Sequence, residues 1–384
     1  MINNTQHISA SYKNTVLGIL PKDWELKRLG DLCNNIFAGS NKTRSIFGLY
    51  PVYGSTGIIG MTDCYQHEGN KILVARVGAH AGSVSMASGK YDVSDNTIIV
   101  EINKNYSMVF AYYLLVFMNL NKLVFGSGQP LITSGMLKRL YVVFPRIEEQ
   151  QCIVSVLSIW EIAISRQTEL INQLVNCKKA FMQQLLTGKK RLKGFEGQWK
   201  EVKLGDIFDE RNETNRGDLP LLSITGDKGV IYQSESEKRD ISSGDKTKYK
   251  RICPNDIGYN TMRLWQGRSA LSELEGIVSP AYTIVKPREN VDVRFIAMLI
   301  QLPKTIYAFW THSQGLVSDT LNCKYPDFCQ VKVCIPSKKE QIAIAEFFLE
   351  FDTEIEIQKQ KLRSFQIQKK GLMQVLLTGK RRLL

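Results

Sequence analysis

The sequence has little of what metal or disulfide chemistry needs. Its eight cysteines (33, 64, 152, 177, 253, 323, 329 and 334) include no Cys-x-x-Cys pair, and only four histidines (7, 67, 80, 312) accompany them. None stands at zinc-ligand spacing, so the expectation is no metal site and reduced thiols used for packing. No run of 18 apolar residues occurs, which argues against a membrane span. The opening MINNTQHISASYKN lacks both the cationic start and the apolar stretch of a secretion signal, so a cytoplasmic protein is expected.

Catalytic signatures are missing too. The glycine-lysine stretches Gly188-Lys189-Lys190 and Ser88-Gly89-Lys90-Tyr91 lack the spacing and the hydroxyl of a phosphate-cradling loop. No Asp/Asn-Pro-Pro-aromatic methyltransferase motif, G-x-S-x-G elbow or HExxH pair is present. Pro326-Asp327 followed by Lys332 imitates a metal-dependent nuclease. The position that should carry a second carboxylate is the neutral Gln330, so a structural role is expected. No catalytic residue is assigned.

What is present is ordinary globular composition in 384 residues, enough for two or three domains at roughly 150 residues each. A formal charge of +13 hints at nucleic acid.

The chain also repeats itself. Met182-Gln183-Gln184-Leu185-Leu186-Thr187-Gly188-Lys189 recurs 191 residues later as Met373-Gln374-Val375-Leu376-Leu377-Thr378-Gly379-Lys380. The same offset carries Pro145 onto Pro336, Glu149-Gln150 onto Glu340-Gln341 and Lys178-Lys179 onto Lys369-Lys370. A second match opens each half: Trp24 through Leu29-Gly30-Asp31, and Trp199 through Leu204-Gly205-Asp206. The blocks between these motifs do not repeat. Residues 50–145 and 220–336 hold short β-rich runs broken by glycine, the texture of an irregular α+β domain.

After each proline the pattern becomes helical. Ile153, Leu157, Trp160, Ile164, Ile171, Leu174, Phe181 and Leu185 recur at steps of three and four, with Gln167 and Lys178 filling the remaining positions. Their counterparts are Ile344, Phe348, Phe351, Ile355, Leu362, Phe365, Leu372 and Leu376, with Gln358 and Lys369. This is a heptad seam. Each helix should run about 38 residues, or roughly 57 Å. Two matching long helices in one chain are expected to pair antiparallel about a pseudo-twofold axis. The two glutamines either fix register or sit at the seam's edge. The expected domains are 1–145, helix 146–193, 194–336 and helix 337–384.

Two dissimilar domains, each followed by a matching helix that ends Leu-Leu-Thr-Gly-Lys, resemble the specificity subunit of a Type I restriction-modification enzyme. The resemblance rests on the paired Pro…Glu-Gln, Trp…Leu-Gly-Asp and helix-end motifs, and spans nearly the whole chain. It implies a non-catalytic subunit with two target recognition domains, each reading one half of a split, asymmetric sequence in double-stranded DNA. It implies docking of two modification subunits that use S-adenosylmethionine, with restriction subunits using ATP and Mg. It implies no cofactor in this chain. Half-sites one helical turn apart lie about 34 Å from each other, a scale such helices can span. A stand-alone DNA-modifying or DNA-cleaving enzyme and a purely structural adaptor are the alternatives.

DNA contacts are expected from polar and cationic side chains in glycine-rich loops. In the first half these are Lys42, Arg44, Tyr53, Ser55, Thr56, Arg76, His80, Ser127 and Gln129. In the second they are Arg211, Arg216, Lys246, Lys248, Lys250, Arg251, Arg263, Arg268, Ser313 and Gln314. Arg76 and Arg263 stand out because each follows a β-run at a corresponding place. The charge is uneven: residues 178–193 and 369–384 carry 6 and 5 cations with no acid, whereas residues 194–336 carry 19 of each sign. A neutral recognition domain should therefore segregate its charge into one basic and one acidic face.

Overall fold

The structure is a computed structural model, and it describes residues 11–42, 45–124, 131–226, 228–236, 244–315 and 320–383. Among these, no helix is long and apolar enough to cross a membrane. The chain forms two compact units, Met1–Thr168 with Gln360–Leu384, and Glu169–Lys359. The long helices, Ile147–Leu185 and Lys338–Leu376, each contribute a segment to both units.

Each unit is built on the same plan. A four-stranded antiparallel sheet runs Cys33–Ala38, Thr97–Ile102, Lys71–Ala75, Val84–Ala87 in the first unit. In the second it runs Phe208–Glu210, Tyr282–Pro287, Ile257–Asn260, Ser269–Leu271. The first unit adds a mixed sheet in which Tyr50–Gly54 pairs in parallel with Lys90–Val93. Among the described residues the second adds two-stranded ribbons. The sheets are thus short and irregular, as glycine-broken runs dictate.

The sequence motifs meet at one joint in each unit. Glu25–Arg28 pairs with Tyr141–Phe144, and Lys200–Lys203 with Lys332–Ile335, so the start of each block is zipped to its end. The following Leu-Gly-Asp makes one helical turn. Its leucine is buried (Leu29, Leu204), and its aspartate accepts from the backbone N–H of Arg28 or Lys203. Its glycine lies against a short helix: a Cβ on Gly30 would sit 3.0 Å from the Lys138 carbonyl oxygen, and one on Gly205 2.8 Å from the Cys329 Cβ.

The Glu-Gln pair fastens the long helices. The Gln150 amide donates to the Pro145 carbonyl (2.8 Å) and accepts from the Ser107 N–H (2.8 Å). Gln341 repeats this with Pro336 (2.9 Å) and Asp292 (2.9 Å). The Glu149 carboxylate is buried and receives Arg382 (2.6 and 2.7 Å) and the Trp24 indole N–H (3.1 Å). Glu340, equally buried, receives Arg191 (2.5 and 2.6 Å). Gly188 and Gly379 end the helices with φ of 70° and 67°, where a side chain is strained.

Within each unit the two helix segments run antiparallel. The first unit brings Trp160 onto Phe365 (5.8 Å between rings) and Lys369 onto Glu161 (2.5 Å). The second brings Phe181 onto Phe347 and Phe351 and Lys178 onto Asp352 (2.5 Å). Adding 191 to Glu161 gives Asp352, and subtracting it from Lys369 gives Lys178, so the ion pairs occupy equivalent positions of the repeat. Of the sixteen seam residues fifteen are buried or half-buried; Phe181 is 37% exposed. Gln167 is buried, and the half-buried Gln358 donates to Glu354 (2.6 Å).

The joints are alike but not equally satisfied. Trp24 donates its indole N–H to Glu149, whereas the Trp199 N–H is buried without a partner among the described residues. Both substitutions to phenylalanine shrink the ring; only the first breaks a hydrogen bond to a charged acceptor. Trp24→Phe should therefore cost about 1–3 kcal/mol more than Trp199→Phe in urea unfolding. Equal costs would mean that the Trp24 bond contributes nothing.

Candidate nucleic-acid interface

In the first unit several predicted residues converge on the segment 92–96. Asn41, next to the exposed Lys42, bridges to Ser94 and donates its amide to the buried Asp92 (2.7 Å). Tyr53 is tied through its carbonyl to the Ser94 N–H (2.8 Å). Ser55, at the turn after Tyr50–Gly54, donates to the Asn96 carbonyl (2.9 Å). Arg76 leaves the strand Lys71–Ala75, donates its backbone N–H to Asn96 (2.9 Å), and reaches the Asp95 carbonyl with its guanidinium (3.4 Å). Thr56 and His80 are exposed on neighbouring turns. Arg44, Ser127 and Gln129 lie outside the described residues.

The second unit divides its candidates into two groups. The larger group is, Lys248 apart, internally engaged. Arg211 binds the buried Asp256 (2.6 and 3.2 Å) and Glu213 (2.6 Å). Burial pushes the Asp256 carboxyl up, against the pull of this guanidinium. Arg251 is held by Glu213 (2.7 Å) and Glu275 (2.5 Å), Arg216 by Asp218 (2.8 Å), and Lys250 by Glu210 (3.7 Å). Lys246 lies over the Tyr249 ring, and Lys248 is exposed nearby. Ser313 donates to the Phe309 carbonyl (2.7 Å), and Gln314 to Asp327 (2.9 Å). Around these residues cations and carboxylates pair locally with one another.

Arg263 and Arg268 form the other group. Both are exposed, and among the described residues no carboxylate pairs with either. They line a cleft of about 500 Å³ with Thr225, Lys228, Asn260 and Tyr282, and none of its described lining residues is acidic. Burial raises the Tyr282 hydroxyl, while Asn260 and the two guanidiniums draw it back. Gly226 admits the Arg268 guanidinium, which would lie 2.0 Å from a Cβ at that position. Such a donor-rich concavity suits base edges or phosphate oxygens. Lys228 and Asn260 were not among the sequence candidates; each neighbours a glycine turn or strand end, a signal too common to select them.

The cationic helix ends divide similarly. Lys178, Arg191, Lys369 and Arg382 are consumed by ion pairs. Lys189, Lys190, Lys380 and Arg381 are exposed. The nuclease-like Asp327 accepts from the Lys324 N–H and from Gln314, and Lys332 pairs with Glu201 (2.8 Å). Among the described residues no cluster of His, Cys, Asp and Glu is arranged to hold a metal ion.

Known proteins share this plan. The family described as Type I restriction modification DNA specificity domain matches twice, at residues 21–176 and 196–364. A putative Type I restriction enzyme MjaX specificity subunit from Methanocaldococcus jannaschii is 25% identical, over 96% of each chain. The MjaVIII specificity subunit of the same organism is 24% identical, over 94% of this chain and 93% of that one. The Escherichia coli EcoprrI specificity subunit is 28% identical over a third of each chain. In fold, the crystal structure of a Type I S subunit from M. genitalium matches with a TM-score of 0.57 at 18% identity, covering 92% of this chain and 96% of that one. Each family match runs from the Trp…Leu-Gly-Asp region well into a long helix, so both copies of the scaffold are included. The chain belongs to the Type I restriction-modification DNA specificity family, whose members supply target recognition while catalysis lies in partner subunits.

Proposed function

We propose that each unit reads one half of a bipartite, asymmetric duplex DNA target. The first would do so through Lys42, Tyr53, Ser55, Thr56, Arg76 and His80, the second through the Arg263–Arg268 cleft. Two modification subunits dock on the chain in this reading, and the paired helices set the gap between half-sites. S-adenosylmethionine, and ATP with Mg, belong to modification and restriction subunits, and the assembly works in the cytoplasm. One observation supports this most: two matched joints carry two dissimilar β-rich blocks, each with its own loop surface. Matched scaffolds give equivalent docking, and dissimilar blocks give an asymmetric target.

The test is an exchange. Residues 195–336 are replaced by the corresponding block of another specificity subunit, and the methylated sequence is read with the partner subunits present. One half of the target should change while the other stays. A change in both halves, or in neither, refutes the assignment.

A further inference from the structure

Ile46, Phe47 and Leu49 of the first unit are 80%, 78% and 76% exposed. A single exposed leucine is ordinary, but three adjacent large apolar side chains form a contact surface. Their loop is pinned by its backbone. The Ser45 hydroxyl donates to the Phe47 carbonyl (2.9 Å) and accepts from the Phe47 N–H (3.0 Å). Met61 N–H donates to Ser45 (2.8 Å), and Leu49 N–H donates to Thr62 (2.9 Å). Gly48 adopts φ of 146°, and a Cβ there would lie 2.5 Å from the Thr62 nitrogen. The backbone is fixed while the side chains are held out in water.

From these features, and resting on the DNA-reading role proposed above, we infer that Ile46, Phe47 and Leu49 form a wedge that enters a base step of the target from its minor groove. Two observations select DNA over a protein partner. No carboxylate occurs between Asp31 and Asp63, and Lys42 and Arg44 precede the loop in sequence. The loop is also joined to the Ser55–Thr56 turn by the single strand Tyr50–Gly54. Five extended residues span about 17 Å at 3.3 Å each. That is half the ~34 Å repeat of the duplex, the step from one groove to the next on the same face. With the strand along the duplex, the turn reads one groove and the apolar loop faces the other. Phenylalanine, leucine and isoleucine are the side chains with which proteins unstack and kink base steps.

The test uses the chain assembled with its methyltransferase subunits, the methylated target duplex and an unrelated duplex. The variant Ile46→Ser/Phe47→Ser/Leu49→Ser changes only exposed side chains. It should bind the intact target about 10- to 100-fold more weakly and bend it less, measured by energy transfer between end labels. A mismatch scanned along the half-site should restore its affinity to within about threefold at one step, because that step is already unstacked. Wild-type affinity and bend in the variant overturn the wedge, as does a loss that no mismatch restores. Loss of the methyltransferase subunits from the variant also overturns it and makes the loop a protein dock. If the wild-type assembly fails to distinguish target from unrelated DNA, the DNA-reading role itself fails.

Discussion

Replacing Arg382 by alanine should destabilise the first unit by about 3–5 kcal/mol. Arg382 is near the end of the chain, a place where substitutions are usually tolerated. Here it neutralises Glu149, whose side chain is 2% exposed. Without it, among the described residues, the carboxylate retains the Trp24 N–H alone and stays buried with an unpaired charge. Removing one partner of a buried pair costs far more than the pair contributes, since the remaining ion cannot be resolvated. The double change Arg382→Met/Glu149→Leu should therefore be much milder than Arg382→Ala alone. The guanidinium also holds the Asp23 carboxyl below its ordinary value. A depressed folded value adds stability that is present above the unfolded value and is lost as pH falls through the folded one. The Asp23 share of the mutational effect should accordingly fade in acid. Hydrogen exchange at the Glu25–Arg28 and Tyr141–Phe144 ribbon, with urea unfolding, would measure the loss. A cost below about 1 kcal/mol would show that the carboxylate escapes burial some other way. Arg191→Ala is the companion measurement on the second unit, where Glu340 takes the same part.

This joint was legible in the sequence because it occurs twice. Pro145 and Pro336, Glu149-Gln150 and Glu340-Gln341, and the two Leu-Gly-Asp turns emerged from self-comparison alone, each with a defined job in the joint. The seam was legible because apolar steps of three and four have one physical reading over 39 residues. The proposed reading surface was not, since counting cations says nothing about their partners. Arg251 and Arg268 look equivalent in the sequence, yet one is locked between Glu213 and Glu275 and the other opens on a cleft. Nor does a sequence show that Ser55 and Arg76 reach the same Asp95–Asn96 turn. Nothing in the sequence marks Ile46, Phe47 and Leu49 as exposed; the structure holds them out on a backbone tied to Ser45 and Thr62.

The double variant Arg263→Ala/Arg268→Ala should weaken target binding by about 2–6 kcal/mol, taking about 1–3 kcal/mol for each well-placed guanidinium. The loss should fall on one half-site only, the half that changes when residues 195–336 are exchanged. Salt dependence separates the two ways these arginines can work. If they hold phosphates, the slope of log K against log[salt] should drop by nearly one for each residue lost, and all sequences should weaken alike. If they read base edges, the slope should hold and discrimination at one or two positions should relax. Gly226→Ala should mimic part of the effect by displacing the Arg268 guanidinium, without removing any charge. The engaged arginines supply the contrast. Arg211→Ala strips the buried Asp256 of its cationic partner, leaving the Cys253 N–H, so it should lower stability first and affect DNA only as the fold loosens. Should Arg211→Ala or Arg251→Ala abolish target recognition at full stability while the double variant binds normally, the cleft is not the reading surface of this unit.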